Sequence, residues 1–270
     1  ASRGQAVIPE INARRFGHGP RPALAIHCSL AHSGAWRGVG AALSDELTLR
    51  AFDLPMHGRS GDWDGQGNIH DVATDMALSL LEAPMDLIGH SFGATVAMRL
   101  AIEHPELVRS ITLIEPVYFA AAKQDDPEAM AEYNEQNAAF EAALAEGDAE
   151  TAARLFNRVW GDGTKWDQIP EPTRAYMVDR IGFIPASSPF LGEDSAGLLA
   201  PGMFDRASMP ALLVEGSASP KAAHAINASL MRRLPDARRV SVEGAGHMVP
   251  ITHAAEVAEE HRTLALEHVQ

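Results

Sequence analysis

From Ala23 to Glu115, short apolar runs alternate with longer stretches of helical spacing. PALAIHC, LTLRAFD, PMDLIG and SITLIE are runs of a few residues closed by Gly, Asp or Glu or by a break in apolarity. Such runs predict strands. Between them, GAWRGVGAALSDE, NIHDVATDMALSLLEA and FGATVAMRLAIEH place apolar residues at helical intervals. In the second stretch Val72, Met76 and Leu80 share one face, and Asn68 stands where a helix N-cap belongs. Pro105 ends the third. Strands separated by amphipathic helices predict βαβ units, so the expected class is α/β, with a mostly parallel central sheet flanked by helices.

The alternation stops after residue 116. EAMAEYNEQNAAFEAALAEG and AETAARLFNRVWG read as helices, and a Pro/Gly/Ser-rich stretch follows, up to Pro201. The strand signal returns in MPALLVEG, followed by a helix in AAHAINASLMRRL, a strand in RRVSVEG and a last helix from about Ile251. Residues 1–116 and 206–270 are therefore expected to form an α/β core, with 117–205 as a helical insertion. Gln5 to Phe16 is expected to supply edge strands.

Composition narrows the partners. The 270 residues suffice for one domain with an insertion. The net charge of −14 argues against nucleic acid and anionic membranes as partners and leaves a small-molecule substrate. Residues 117–205 hold 16 Asp/Glu against 6 Lys/Arg, a net of −10. That excess reads either as a solvated acidic surface or as a bias against polyanionic substrates such as coenzyme A esters. No window has the roughly 18 consecutive apolar residues of a membrane span. The first residues lack the layout of a secretory signal. A single cysteine, Cys28, fits a reducing, cytoplasmic setting.

The sharpest chemical motif is Gly89-His90-Ser91-Phe92-Gly93, between a strand reading and a helix reading. That is the setting of a nucleophile elbow, whose tight turn needs glycine on both sides and presents the serine above the sheet. The following helix N-terminus offers backbone N–H groups to developing negative charge. Serine needs a general base. VEGAGHMVPITH places His247 in a glycine-flanked loop after the last strand reading. His90 reads as structural, because neighbouring residues of an elbow point different ways, and His253 reads as a surface residue of the final helix.

Taken together, HCSLAHSGAW, DLPMHGRS, GHSFG and GAGHMVP resemble, in order, four loops of the α/β-hydrolase superfamily. The resemblance spans residues 23 to 268 and places the insertion where that family carries a helical cap. It implies a serine hydrolase needing no metal and no organic cofactor. Ser91 would be the nucleophile and His247 the base. The N–H groups of Ser29 and Phe92 would form the oxyanion hole. Asp53, His57, Gly58 and Ser60 would shape the floor of the site. Cys28 and Met56 stand where the family has glycines; Cys28 reads as a packed residue.

One departure concerns the acid. The family's usual acid follows the strand after the cap, but LLVEGSASP puts Ser217 and Ser219 at the two acidic positions. An alternative in the superfamily moves the acid to the end of the strand after the nucleophile helix, which here is Glu115. Glu215, the cap acids Glu193 and Asp194, and a Ser-His dyad without an acid are the competing readings. The implied activity is hydrolysis of small, neutral or apolar carboxylic esters. C–C bond, lactone or amide hydrolysis at the same site, or a non-catalytic small-molecule receptor, are the alternatives. Of the insertion's apolar side chains Met130, Tyr133, Phe140, Phe156, Trp160, Trp166, Tyr176, Met177 and Phe183, most are expected to pack within its own core.

Overall fold

A computed structural model describes residues 3–266; the extreme ends of the expected core, 1–2 and 267–270, lie outside the described residues. Seven strands are present: β1 Ala13–Phe16, β2 Arg21–Ile26, β3 Leu47–Phe52, β4 Met85–His90, β5 Val108–Ile114, β6 Ala211–Gly216 and β7 Ala237–Val242. They form one sheet in the order β1-β3-β2-β4-β5-β6-β7. All neighbours run parallel except β1, which pairs antiparallel with β3. The expected α/β class and mostly parallel sheet are thus present. The Gln5–Phe16 region contributes a single edge strand.

The helices are α1 Arg37–Ala42, α2 Ile69–Ser79, α3 Phe92–Glu103, α4 Phe119–Asp125, α5 Ala131–Ala145, α6 Ala149–Trp160, α7 Glu171–Arg180, α8 Phe183–Leu191, α9 Lys221–Arg233, α10 Val249–Thr252 and α11 Ala254–Leu266. Strand periodicity divides the core between the two faces of the sheet. On β2, Leu24 and Ile26 join a cluster with side chains of α2, α3 and α9, whereas Ala23 and Ala25 join one with α1 and α11. Burying each Leu or Ile contributes about 1.5–3 kcal/mol relative to leaving it exposed. The Asn68 side chain caps α2 by accepting a hydrogen bond from the His70 N–H at 2.9 Å.

Helices α4 to α8 lie between β5 and β6. Two of them occupy the Pro/Gly/Ser-rich part of the insertion. Helix α7 starts behind Pro170 with Pro172 in its first turn, a position that needs no intrahelical donor. Helix α8 contains Pro189 in its interior, an apparent breaker. It forms because Phe183, Phe190 and Leu191 are buried in the main core. The final helix is also two pieces, α10 and α11, broken at His253. His253 is half-buried at the junction and lies outside the helix.

Strands β2 and β4 are neighbours, and the chain winds away from them in opposite directions. Ligands of open parallel sheets bind at such a switch point, outside the carboxyl ends of the strands. Two buried histidines hold the loops there. His27 Nε2 accepts the Leu54 N–H at 2.9 Å, and its Nδ1 donates to the Cys28 carbonyl at 2.7 Å. His57 Nε2 accepts the Leu30 N–H at 3.0 Å, and its Nδ1 donates to the Pro55 carbonyl at 2.9 Å. Burial would raise the Asp53 carboxyl, but N–H donors from Arg59 and Ser33 and the Asn12 side chain outweigh it and hold it near 2.

Two predictions follow from these buried polar groups. Burial lowers His27 to about 4; burial and the neighbouring His27 lower His57 to about 3. In the unfolded chain each titrates near 6.5. The unfolded state therefore binds more protons once the pH falls below 6.5, so their contribution is complete above that value and is lost toward pH 3–4. Thermal midpoints measured from about pH 8 to about pH 4 should fall below pH 6.5, with a shallower slope in His57→Gln, by about one bound proton. Asp86 is fully buried and paired with Arg21. Arg21→Met leaves that carboxylate short of its main partner and should cost about 3 kcal/mol in denaturant unfolding.

Candidate active site

Ser91 sits between β4 and α3 with φ 57° and ψ −117°, a left-handed conformation that a non-glycine residue adopts only when its surroundings enforce it. Two glycines make the turn possible. A Cβ on Gly89 would lie 2.4 Å from the Gly93 carbonyl oxygen, and one on Gly93 would lie 2.1 Å from the Ile26 carbonyl oxygen. Closing the turn, the Ser91 N–H donates to the Ile114 carbonyl at 2.8 Å. Phe92, fully buried, opens α3 and packs edge-on against Phe183 of α8. Its N–H belongs to the first turn, where intrahelical acceptors are lacking.

His247 reaches Ser91 from the loop after β7. Its Nε2 is 2.9 Å from Ser91 Oγ, and its Nδ1 is 3.0 Å from Glu115 Oε1. A carboxylate can only accept, so Nδ1 carries the proton and Nε2 is left to accept from the hydroxyl. Glu115 itself follows the last residue of β5 at φ 51° and is fully buried. Its backbone N–H donates to the Val214 carbonyl at 2.8 Å. Its side chain also accepts from Ser219 Oγ at 2.7 Å and from the Gly216 N–H at 3.2 Å. The buried charge is thus met by three donors, as a buried carboxylate requires.

The competing acids point elsewhere. Glu215 is held by Arg239 and His224, where opposing effects of burial and these two donors leave its carboxyl below the ordinary range. Asp194 accepts from the Leu198 and Leu199 N–H groups, both at 2.9 Å, and from the Tyr118 hydroxyl. Glu193 is exposed. Of the other candidates, His90 donates through Nε2 to the His247 carbonyl at 2.8 Å, and burial, then the nearby His247, lowers it to about 3. Burial raises the Cys28 thiol to about 12, far from thiolate chemistry at neutral pH. Met56, in the position of a family glycine, takes φ 60°.

Two cavities meet at this point. The first, about 60 Å3, contains Ser91, His247 and Ser29 and is walled by apolar side chains of β5's exit, α5, α6 and α8, with Gln136, Asn137 and Ser187 as polar contributors. The second, about 640 Å3 and more open, lies over the Cys28–Ala35 loop and is bounded by α6, α7 and Met248. Ser29, Phe156 and Trp160 line both. The Trp160 ring stands 4.7 Å from that of His247, edge to face. On α7, the Tyr176 hydroxyl donates to the Ala31 carbonyl at 2.6 Å and accepts the Gly58 N–H at 2.8 Å, tying the insertion to both loops under the site. Among the described residues, no group of three or more His, Cys, Asp or Glu is arranged to hold a metal ion. No helix there is long and apolar enough to cross a membrane.

The large apolar side chains of the insertion refine one expectation. Met130, Phe140, Trp160, Trp166 and Phe183 are buried core, yet Phe140 and Trp160, together with Tyr133, Phe156, Tyr176 and Met177, also line the cavities. Helical spacing marks a buried face but does not say whether a packed neighbour or a void covers it. Ser219 was visible in the sequence only as a missing acid; its role as a donor to Glu115 depends on a fold that puts the two loops side by side.

Comparison with known proteins agrees with this architecture. A model of the alpha/beta hydrolase family matches residues 23–260. The chain is 31% identical to 2-(acetamidomethylene)succinate hydrolase of Mesorhizobium japonicum over 88% of this chain and 85% of that protein. It is 27% identical to pimeloyl-(acyl-carrier protein) methyl ester esterase of Aeromonas hydrophila over 92% and 96%. The match to lipase LipV of Mycobacterium tuberculosis, at 32% identity, covers 41% of this chain and less than half of that protein's length, 43%. An alpha/beta hydrolase from Sphaerobacter thermophilus superposes with a TM-score of 0.69 at 22% identity, covering 93% and 95%. A family match over most of its length identifies the chain as a member of the alpha/beta hydrolase family.

Proposed function

We propose that the protein hydrolyses small, neutral or apolar carboxylic esters through Ser91, His247 and Glu115. The observation that carries this reading is the chain of hydrogen bonds at 2.9 and 3.0 Å from hydroxyl to imidazole to buried carboxylate, opening into an apolar cavity. The esterase and lipase names among its relatives support an ester as the bond.

In the proposed cycle, Ser91 Oγ adds to the ester carbonyl carbon while its proton passes to His247 Nε2. The carbonyl electron pair moves to the oxygen, which the Ser29 and Phe92 N–H groups receive. The C–O bond to the alcohol then breaks, the carbonyl re-forms, and the alcohol takes the proton from Nε2. Water repeats the sequence: it gives a proton to Nε2, adds to the acyl carbon and expels Ser91 Oγ, which regains the proton. The acid product leaves. Glu115 stays ionised throughout, fixes the tautomer and stabilises the imidazolium. In this reading, residues 117–205 act as a cap that keeps water from the acyl-enzyme. A small-molecule substrate needs no further partner, and a cytoplasmic setting fits the single buried Cys28.

A fluorophosphonate probe should label Ser91 and leave Ser91→Ala unlabelled; folded wild type that resists the probe would instead mark a receptor. Glu115→Gln should keep the fold and lower kcat by roughly 10³–10⁴. Ser219→Ala removes one of three donors to Glu115 and should lower kcat about tenfold or less, because two donors remain. A loss under tenfold for Glu115→Gln would take that residue out of the mechanism.

A further inference from the structure

The second cavity is the larger and the more open of the two, yet Ser91 and His247 line only the smaller one. A substrate whose carbonyl carbon is on Ser91 must therefore keep one half in the narrow chamber and pass the other between Ser29 and Trp160, which line both. We propose that the wide chamber is the leaving-group site, and that the favoured substrates join a compact, neutral acyl group to a bulky, uncharged, largely apolar alcohol. This rests on the ester reading above.

Two features assign the halves. Once the ester bond breaks, the acyl carbon remains bonded to Ser91 Oγ, whose surroundings belong to the narrow chamber. The departing oxygen must take its proton from His247 Nε2, so the alcohol lies on the side of that ring. His247 itself lines the narrow chamber, but Trp160, whose ring is 4.7 Å from its own, and Met248, next to it in the chain, both line the wide one, so that side of the ring leads out into the wide chamber. The more open chamber thus receives the group that leaves first, and the enclosed one holds the group that waits for water. Ile169, Met177, Phe156 and Met248 supply the apolar surface of the wide chamber. Among the described residues no Lys or Arg lines either chamber, and Asp162 stands in the wide one. A phosphate-bearing alcohol or thiol carrier would find no counter-charge there. Trp160 is the partition, so it sets how much bulk each half of the substrate can carry.

A mirror-image pair of ester series tests the assignment, because it moves the same bulk from one side of the bond to the other. The first series is the acetates of methanol, cyclohexylmethanol and adamantylmethanol, alcohols of similar acidity. The second is the methyl esters of acetic, cyclohexylacetic and adamantylacetic acids. With wild-type enzyme, kcat/KM should rise about tenfold or more along the first series and fall about tenfold or more along the second. The opposite order, or equal responses, overturns the assignment while leaving the ester reading intact. Failure to cleave any of these esters, with Ser91 unlabelled by fluorophosphonate, sinks both. Met177→Trp fills the wide chamber and should cut the adamantylmethyl-to-methyl ratio for acetates about tenfold, whereas Trp160→Ala should relax the limit on the acid side. The wild-type series decides the question even if either variant fails to fold.

Discussion

A carboxylate shut off from water must be matched group for group, and Glu115 is. It accepts from an imidazole, a hydroxyl and a backbone N–H, while its own N–H is bonded across to β6. Removing its charge would leave three donors facing a poorer acceptor; removing the donors would leave a buried ion. Each member is therefore held by the others. The left-handed backbone at Glu115 and at Ser91 is strain that only a surrounding framework of this kind can hold in place. The same hydrogen bonds that stabilise the ion also settle which nitrogen of His247 is free to face the serine.

Much of this was legible in the chain. The βαβ rhythm predicted the parallel sheet, because apolar runs and helical periods are direct readouts of burial. GHSFG could be placed at a turn, because two glycines beside a serine after a strand answer a steric demand. Glu115 stood out as an acid at the end of an apolar run. The helices at 171–180 and 183–191 were not legible: the first buries no residue fully and so has no apolar stripe to read, and Pro189 inside the second argues locally against helix, an objection overridden by packing from distant segments. The cavities were not legible either. A Trp that walls a void and one that fills a core have the same periodicity, and the distinction lies in which helices fail to meet.

Histidine serves this fold in two ways. His27, His57 and His90 are buried and neutral and serve as fixed donors or acceptors that hold loops in place. His247 has the same chemistry but faces a hydroxyl inside a cavity. The difference is thus one of placement: His27 and His57 spend both ring nitrogens on backbone partners and His90 gives Nε2 to the His247 carbonyl, while His247 holds Glu115 with one nitrogen and turns the other toward Ser91. The low charge of the cavity walls fits this arrangement, since a nearby cation would compete with the imidazole for the carboxylate.

The position of Glu115 has a further consequence. It is the last residue but one before the insertion begins, so the acid and the roof over it are contiguous in the chain, whereas an acid carried after β6 would be severed from that roof. Exchange of the roof between related proteins therefore has a natural seam just downstream of Pro116. A crossover there delivers new walls and leaves the acid behind with its sheet; a crossover a few residues earlier takes the acid away with the old walls.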